Sequence, residues 1–530
     1  MSTITAAETP AAALERRAHH SPLAVALDFP QDRRQATYAE WDRAATALAR
    51  SLLDLGLVRG DRVGLLAENR LEWPIVEIGV ARAGLVLVPL NTHLRRDDLR
   101  YCLEQSQARM VVLTERFRSN PFLELVREVR AELTQLEHLV LISDGDHPDC
   151  LSLSSLVLRD SDRSLPTASG DDACAIIYTS GTTGRPKGAV LSHRAVIANG
   201  RLVFARLGIT EADKVTSIVP MFHSASFCTA IPGCLATGAS YVGVSAFDPV
   251  DMMRVIEQSR ATVHIGVPTT LRAILNHPQR PDFDLSSLRV GTCGGADTDP
   301  QLLNDCAAAF PIPGLVQVYG LTEASALATC PAPGDPRRFD TAGAPLPGYD
   351  IRVVSTITGQ RVSAGAPGEI QIRTKYRMAE YFRMPEATAE TFTDDGWLRT
   401  GDIGALTETG ELMLTGGRLK DIIIRGGENI YPVEIENVLL QHSAVRQVAV
   451  FGRPHPELGE IVAAAVVCDP GATEHDLTAF CKARLARYKV PSVFFAVDQF
   501  PLTASGKVRK IELRRMAQSG ELRLLGEAAK

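Results

Sequence analysis

Between two apolar runs the chain reads "YTSGTTGRPKG", Tyr178 to Gly188. Gly181, Gly184 and Gly188 let the backbone bend tightly and bring its N–H groups close to an anion. Thr179, Ser180, Thr182 and Thr183 add hydroxyl donors, and Lys187 adds a positive charge. A loop so rich in donors suits a polyphosphate. It is not a Walker A loop, because Pro186 stands where that pattern requires its second glycine and no Ser or Thr follows Lys187.

Four further stretches carry residue types suited to chemistry: "YGLTE" at 319–323, "WLRTGD" at 397–402, "GRLKDIIIRGGENIYPVEIE" at 417–436 and "PLTASGKVRK" at 501–510. Glu323 is a hard oxygen ligand of the kind Mg²⁺ takes. Asp402 offers two acceptor oxygens, and Lys507 is a compact charge on a flexible stem. Together with the loop, and in this order, the stretches resemble the motifs of the adenylate-forming superfamily: acyl-CoA synthetases, peptide-synthetase adenylation domains and luciferases. The resemblance spans about Tyr38 to Leu513. It implies attack of a carboxylate on the α-phosphorus of ATP with loss of pyrophosphate, then attack of a thiol on the acyl adenylate. Two anions meet in the first step, so catalysis depends on neutralising charge and holding the nucleophile in line.

The resemblance also implies roles. The loop cradles the ATP phosphates; Tyr319, with Gly320 beside it, packs on adenine; Thr322 hydrogen-bonds the α-phosphate; and Glu323 holds Mg²⁺. Gly294, Gly295 and Ala296 of "GTCGGAD" correspond to the adenine-binding edge, Asp402 to the ribose ligand and Arg418 to its support. Lys507 is the C-terminal catalytic lysine, bridging the acid and the α-phosphate. Gly426 and Gly427 let pantetheine pass close to the backbone, and Lys420, directly after "GRL", is the hinge of a small mobile domain. His223 of "PMFHSAS" lies beside the carboxylate channel. Two positions depart from the family pattern, Ser226 and Glu380, where glycine is usual; the first bears on pocket width and the second on its local loop.

Amino-acid-activating relatives carry an Asp that pairs with the substrate ammonium. Phe222–Ser226, the matching stretch, holds no carboxylate. An unpaired ammonium in a dry pocket is costly, so the expected substrate is a small-molecule acid without an α-amino group: aliphatic, alicyclic or aromatic. CoA is the leading acceptor, with an acyl carrier protein its nearest rival; a non-thiol acceptor or an unusual oxyanion is more distant. A catalytically silent nucleotide-binding regulator would be expected to have lost Lys507, Glu323 or Asp402, and all three are present.

These residues need elements to position them. From Trp41, Ala45, Leu48, Leu52 and Leu55 recur at helical steps that Gly56 can end. The strand "RVGLLA", the helix "EWPIVEIGVARAG" and the strand "LVLVPLN" follow, an alternation that predicts an α/β fold with mostly parallel sheets covered on both faces. Beyond Gly410 the texture changes. A boundary near Lys420 divides 1–419, an N-terminal adenylation domain of βα-layered sheets, from 420–530, a smaller α+β domain carrying Lys507. The chain has 56 Lys+Arg against 62 Asp+Glu, a net charge of −6 that gives nucleic acid no electrostatic purchase. Its ten cysteines show neither metal-ligand spacing nor a disulfide framework and are expected to be reduced and mostly buried. With no apolar run long enough for a membrane span or signal segment, a cytoplasmic protein is expected, with a homodimer left open.

Overall fold

The helical pattern from Trp41 forms the helix Tyr38–Asp54, opened by a capping box in which the Thr37 hydroxyl accepts from the Glu40 N–H and the Glu40 carboxylate accepts from the Thr37 N–H. Gly56, at φ 88°, turns the chain out past its end. The computed structural model describes residues 8–143, 147–179, 185–295, 298, 300–310, 312–425, 428–502 and 508–526, and for 416–418, 420, 428 and 429 the backbone alone. Two compact units emerge: Met1–Ile351 with Ile372–Leu398, and Arg352–Gln371 with Arg399–Lys530.

The first unit holds two seven-stranded sheets. In one, the order is Leu151–Ser152, His138–Leu141, Ala108–Leu113, Arg62–Leu66, Val86–Pro89, Ala173–Thr179, Lys187–Ser192, parallel except for the last strand. Helices Glu72–Arg82, Arg96–Ser106 and Phe122–Arg130 make the crossovers. In the other, the order is Gly314–Gln317, Val290–Cys293, Val263–Gly266, Lys214–Ser217, Ser240–Gly243, Val25–Phe29, Arg34–Thr37, again parallel up to an antiparallel edge. Val88, Val111 and Leu139 pack with Leu103 and Val126 on the first sheet; Val242, Leu271, Leu303 and Leu315 do so on the second. The expected βα alternation is therefore present, divided between two sheets.

The second unit is α+β. Val445–His455 and Gly459–Cys468 form a long antiparallel pair, and Val493–Ala496 adds parallel to the latter. Residue alternation gives each face its own core. Val450, Val462, Val466 and Phe494 face Ile435, Leu439 and Leu477, while Phe451, Ala463, Ala465 and Phe495 face Leu513. All ten cysteines are free, eight of them buried. Among the described residues no helix is long and apolar enough to cross a membrane.

Candidate active site

The glycine-rich loop is the connection of an antiparallel hairpin, Ala173–Thr179 with Lys187–Ser192, in which Thr179 stands opposite Lys187 at the mouth. Ser180, Gly181, Thr182, Thr183 and Gly184 lie outside the described residues. The base of the loop is tied to the helix Arg96–Ser106. Tyr178 OH donates to Gln105 Oε1 at 2.6 Å, Tyr101 OH donates to the Pro186 carbonyl at 3.0 Å, and the Arg185 guanidinium lies 5.3 Å from the Tyr101 ring centroid.

Glu323 sits where a second hairpin turns, between Tyr319–Leu321 and Ala326–Thr329. The two strands approach so closely that a Cβ on Gly320 would fall 1.7 Å from the Ala326 carbonyl oxygen, so only glycine fits. The turn is tight: Ser325 and Ala326 take φ of 61° and 82°, and Ser325 Oγ donates to the Tyr376 carbonyl at 2.5 Å. The Glu323 Oε1 accepts from Tyr381 OH at 2.7 Å and from Thr179 Oγ1 at 3.2 Å. Met378 N–H donates to the Glu323 carbonyl at 2.8 Å.

Tyr381 belongs to a short extended segment laid along the strand Lys187–Ser192. The Ala379 and Phe382 N–H groups donate to the Val190 and Gly188 carbonyls, and the Val190 N–H donates to the Glu380 carbonyl. Glu380 shows no positive φ and its side chain is exposed, so the pairing has no need of glycine there. Burial, then the Glu323 charge, pushes the Tyr381 hydroxyl far above its ordinary value and keeps it a donor. Lys187 Nζ lies 5.2 Å from the Tyr381 ring centroid. No motif in the sequence marks Tyr381 as a site residue. Its one signal was its position beside Glu380.

Thr322 Oγ1 donates to Ser224 Oγ at 3.0 Å, which links this turn to the segment after the strand Lys214–Ser217. In that segment the Ala225 N–H donates to His223 Nδ1 at 3.3 Å, which leaves the proton of a neutral ring on Nε2. A π-helix, Ala225–Ala230, follows, a form frequent at functional sites. Ser226 is fully buried with its hydroxyl turned onto the Val219 carbonyl at 2.8 Å.

The strand Val290–Cys293 delivers Gly294 against Val318, the residue before the buried Tyr319; a Cβ on Gly294 would lie 2.7 Å from the Val318 carbonyl oxygen. Gly295 takes φ 80°, and Ala296 lies outside the described residues. In the second unit the strands Leu398–Leu406 and Leu412–Arg418 set Asp402 opposite Arg418, whose backbone alone is described. The Asp402 N–H donates to Thr400 Oγ1 at 3.0 Å. Lys420 lies in the one-turn 3₁₀ segment Leu419–Asp421, while Gly426, Gly427 and Lys507 are outside the described residues.

Among the described residues no group of three or more His, Cys, Asp or Glu side chains forms a metal cage. A nucleotide-borne Mg²⁺ needs less, since phosphates and water supply most of its ligands and one carboxylate suffices. Glu323 fits that requirement: it is partly exposed, and both hydroxyl donors fall on Oε1.

A family model described as AMP-binding enzyme matches residues 14–382, and one described as AMP-binding enzyme C-terminal domain matches residues 434–507. The putative acyl-CoA synthetase YngI of Bacillus subtilis (strain 168) is 34% identical over 525 residues, covering 94% of this chain and 95% of that protein. ATP-bound MatB from Rhodopseudomonas palustris superposes with a TM-score of 0.86 at 29% identity, covering 96% of this chain and 99% of its own. The anthranilate CoA ligase AuaEII in complex with anthranoyl-AMP gives 0.87 at 27% identity, covering 97% and 98%. This chain therefore belongs to the AMP-binding enzyme family of the adenylate-forming superfamily, and is an ATP-binding, adenylate-forming ligase.

Proposed function

We propose that the protein is an AMP-forming acyl-CoA synthetase for an apolar acid, aliphatic, alicyclic or aromatic, without an α-amino group. The observation that carries this reading is a run of polar contacts. Thr179 at the loop mouth meets Glu323, and the adjacent Thr322 meets Ser224, next to His223. The loop that would hold phosphate and the segment that would wall the acid channel thus share one turn.

In the first half-reaction a carboxylate oxygen forms a bond to the α-phosphorus as the bond to pyrophosphate breaks. Lys187 and the loop hydroxyls bind the departing phosphates, Thr322 donates to the α-phosphate, and Lys507 offsets the charge of the two approaching anions. Glu323 would hold Mg²⁺, which when bound neutralises phosphate charge. Tyr319 and Gly294 to Ala296 bind adenine, and Asp402, with Arg418, the ribose. In the second half-reaction the CoA thiolate attacks the acyl carbon and AMP leaves, with Gly426 and Gly427 admitting pantetheine. The channel segment Phe222–Ser226 has no carboxylate to pair with an ammonium, and the π-helix behind it contributes buried Phe227 and Cys228.

Acid-dependent exchange of labelled pyrophosphate into ATP, run across a panel of carboxylic acids, tests the reading, with mass detection of CoA thioesters as the second stage. Apolar acids should support exchange and yield thioesters. Exchange with a proteinogenic amino acid alone would overturn the substrate class, and adenylate formation with transfer only to a carrier protein would overturn the acceptor.

A further inference from the structure

The two hydrogen bonds to Glu323 end on the same atom. Tyr381 OH and Thr179 Oγ1 both donate to Oε1, at 2.7 and 3.2 Å, and no hydrogen bond to Oε2 is made among the described residues. A carboxylate oxygen has two lone pairs in its plane, and on Oε1 both are engaged. A cation approaching this carboxylate therefore finds one oxygen available, and ligation is monodentate. Mg²⁺ takes carboxylates this way within a strict octahedron, whereas Ca²⁺ accepts bidentate ones at longer range.

The donors are not loose surface groups. Tyr381 is only 6% exposed and its backbone is paired along the strand Lys187–Ser192. Three residues earlier, the Met378 N–H fixes the Glu323 main chain. Thr179 lies on the neighbouring strand, opposite Lys187. One piece of sheet edge thus holds both the backbone and one carboxylate oxygen of Glu323.

We propose that Tyr381, with Thr179, is a positioning residue that restricts Glu323 to monodentate ligation through Oε2 and so selects Mg²⁺ over larger divalent cations. The proposal rests on the adenylation reading above. Its test compares full-length wild-type and Tyr381→Phe proteins, each saturated with α,β-methylene-ATP, in Mn²⁺ titrations followed by electron paramagnetic resonance with Ca²⁺ as competitor. The Mg²⁺ dependence of acid-stimulated exchange is measured alongside.

Loss of a hydrogen bond that orients a metal ligand weakens metal binding about 10-fold, which is the change expected for Mn²⁺. Ca²⁺ should compete better in the variant than in wild type, and half-maximal exchange should need about 10-fold more Mg²⁺. Thr179→Val should shift the competition in the same direction, and Thr179→Ser, which keeps the hydroxyl, should not; this pair decides the matter if Tyr381→Phe does not fold. Unaltered Mn²⁺ affinity and Ca²⁺ competition, with or without a fall in turnover, would overturn the proposal. Wild-type protein that gives no acid-dependent exchange would instead defeat the adenylation reading.

Discussion

Glu77 lies on the helix Glu72–Arg82 with 1% of its surface exposed, and among the described residues neither carboxylate oxygen has a hydrogen-bond partner. Burial holds its carboxyl well above the usual carboxylate range, so it keeps its proton to higher pH in the fold than in the unfolded chain. The unfolded chain ionises this group above pH 4.5, the native chain does not, and stability is therefore lost as pH rises from 4.5 toward the folded value. Glu77→Gln removes this penalty, which grows by about 1.4 kcal/mol per pH unit. Its denaturation midpoint should exceed wild type at pH 7.5 and converge on it near pH 4.5. A gap independent of pH would show that Glu77 ionises in the native state. Ser226 carries a related lesson. Its identity marked a departure from the family pattern, but only the structure turns its hydroxyl onto the Val219 carbonyl.

The hairpin that carries Glu323 depends on one close approach. Gly320→Ala would push a methyl group into the Ala326 carbonyl and force the strands Tyr319–Leu321 and Ala326–Thr329 apart. A loss of about 3 kcal/mol is expected in denaturant unfolding, together with a loss of exchange activity; wild-type stability would contradict the register. At this scale much was legible in the sequence. "RVGLLA" and "LVLVPLN" became Arg62–Leu66 and Val86–Pro89, because short apolar runs between helical patterns have few alternatives in an α/β fold. The hairpin around the glycine-rich loop and the turn holding Glu323 were marked by their motifs. The segment from Met378 to Phe382 was not legible. It has no alternating pattern, and its extended shape comes from backbone pairing with a strand nearly 200 residues earlier. Tyr381 was therefore invisible as a partner of Glu323, and the π-helix Ala225–Ala230 likewise has no local sequence signature.

The proposed activity has two half-reactions, with Lys507 proposed to act in the first and Gly426 and Gly427 in the second. All three follow Lys420, in the short 3₁₀ turn between the strands Leu412–Arg418 and Ile423–Arg425. Proline is compatible with such a turn but denies the backbone other φ values. Lys420→Pro is expected to retain adenylation and lose thioester formation. Lys507→Ala is expected to lose adenylation yet transfer acyl groups from supplied acyl adenylate to CoA. Equal losses in both steps for both variants would remove the alternation. The central claim, that a carboxylate oxygen attacks the α-phosphorus of ATP, has a more direct test. An accepted acid carrying heavy oxygen in its carboxylate is incubated with ATP, CoA and the protein, and the products are resolved by mass. Attack at the α-phosphorus gives AMP bearing one heavy oxygen, with unlabelled pyrophosphate; heavy oxygen in inorganic phosphate with ADP as the nucleotide product would contradict it.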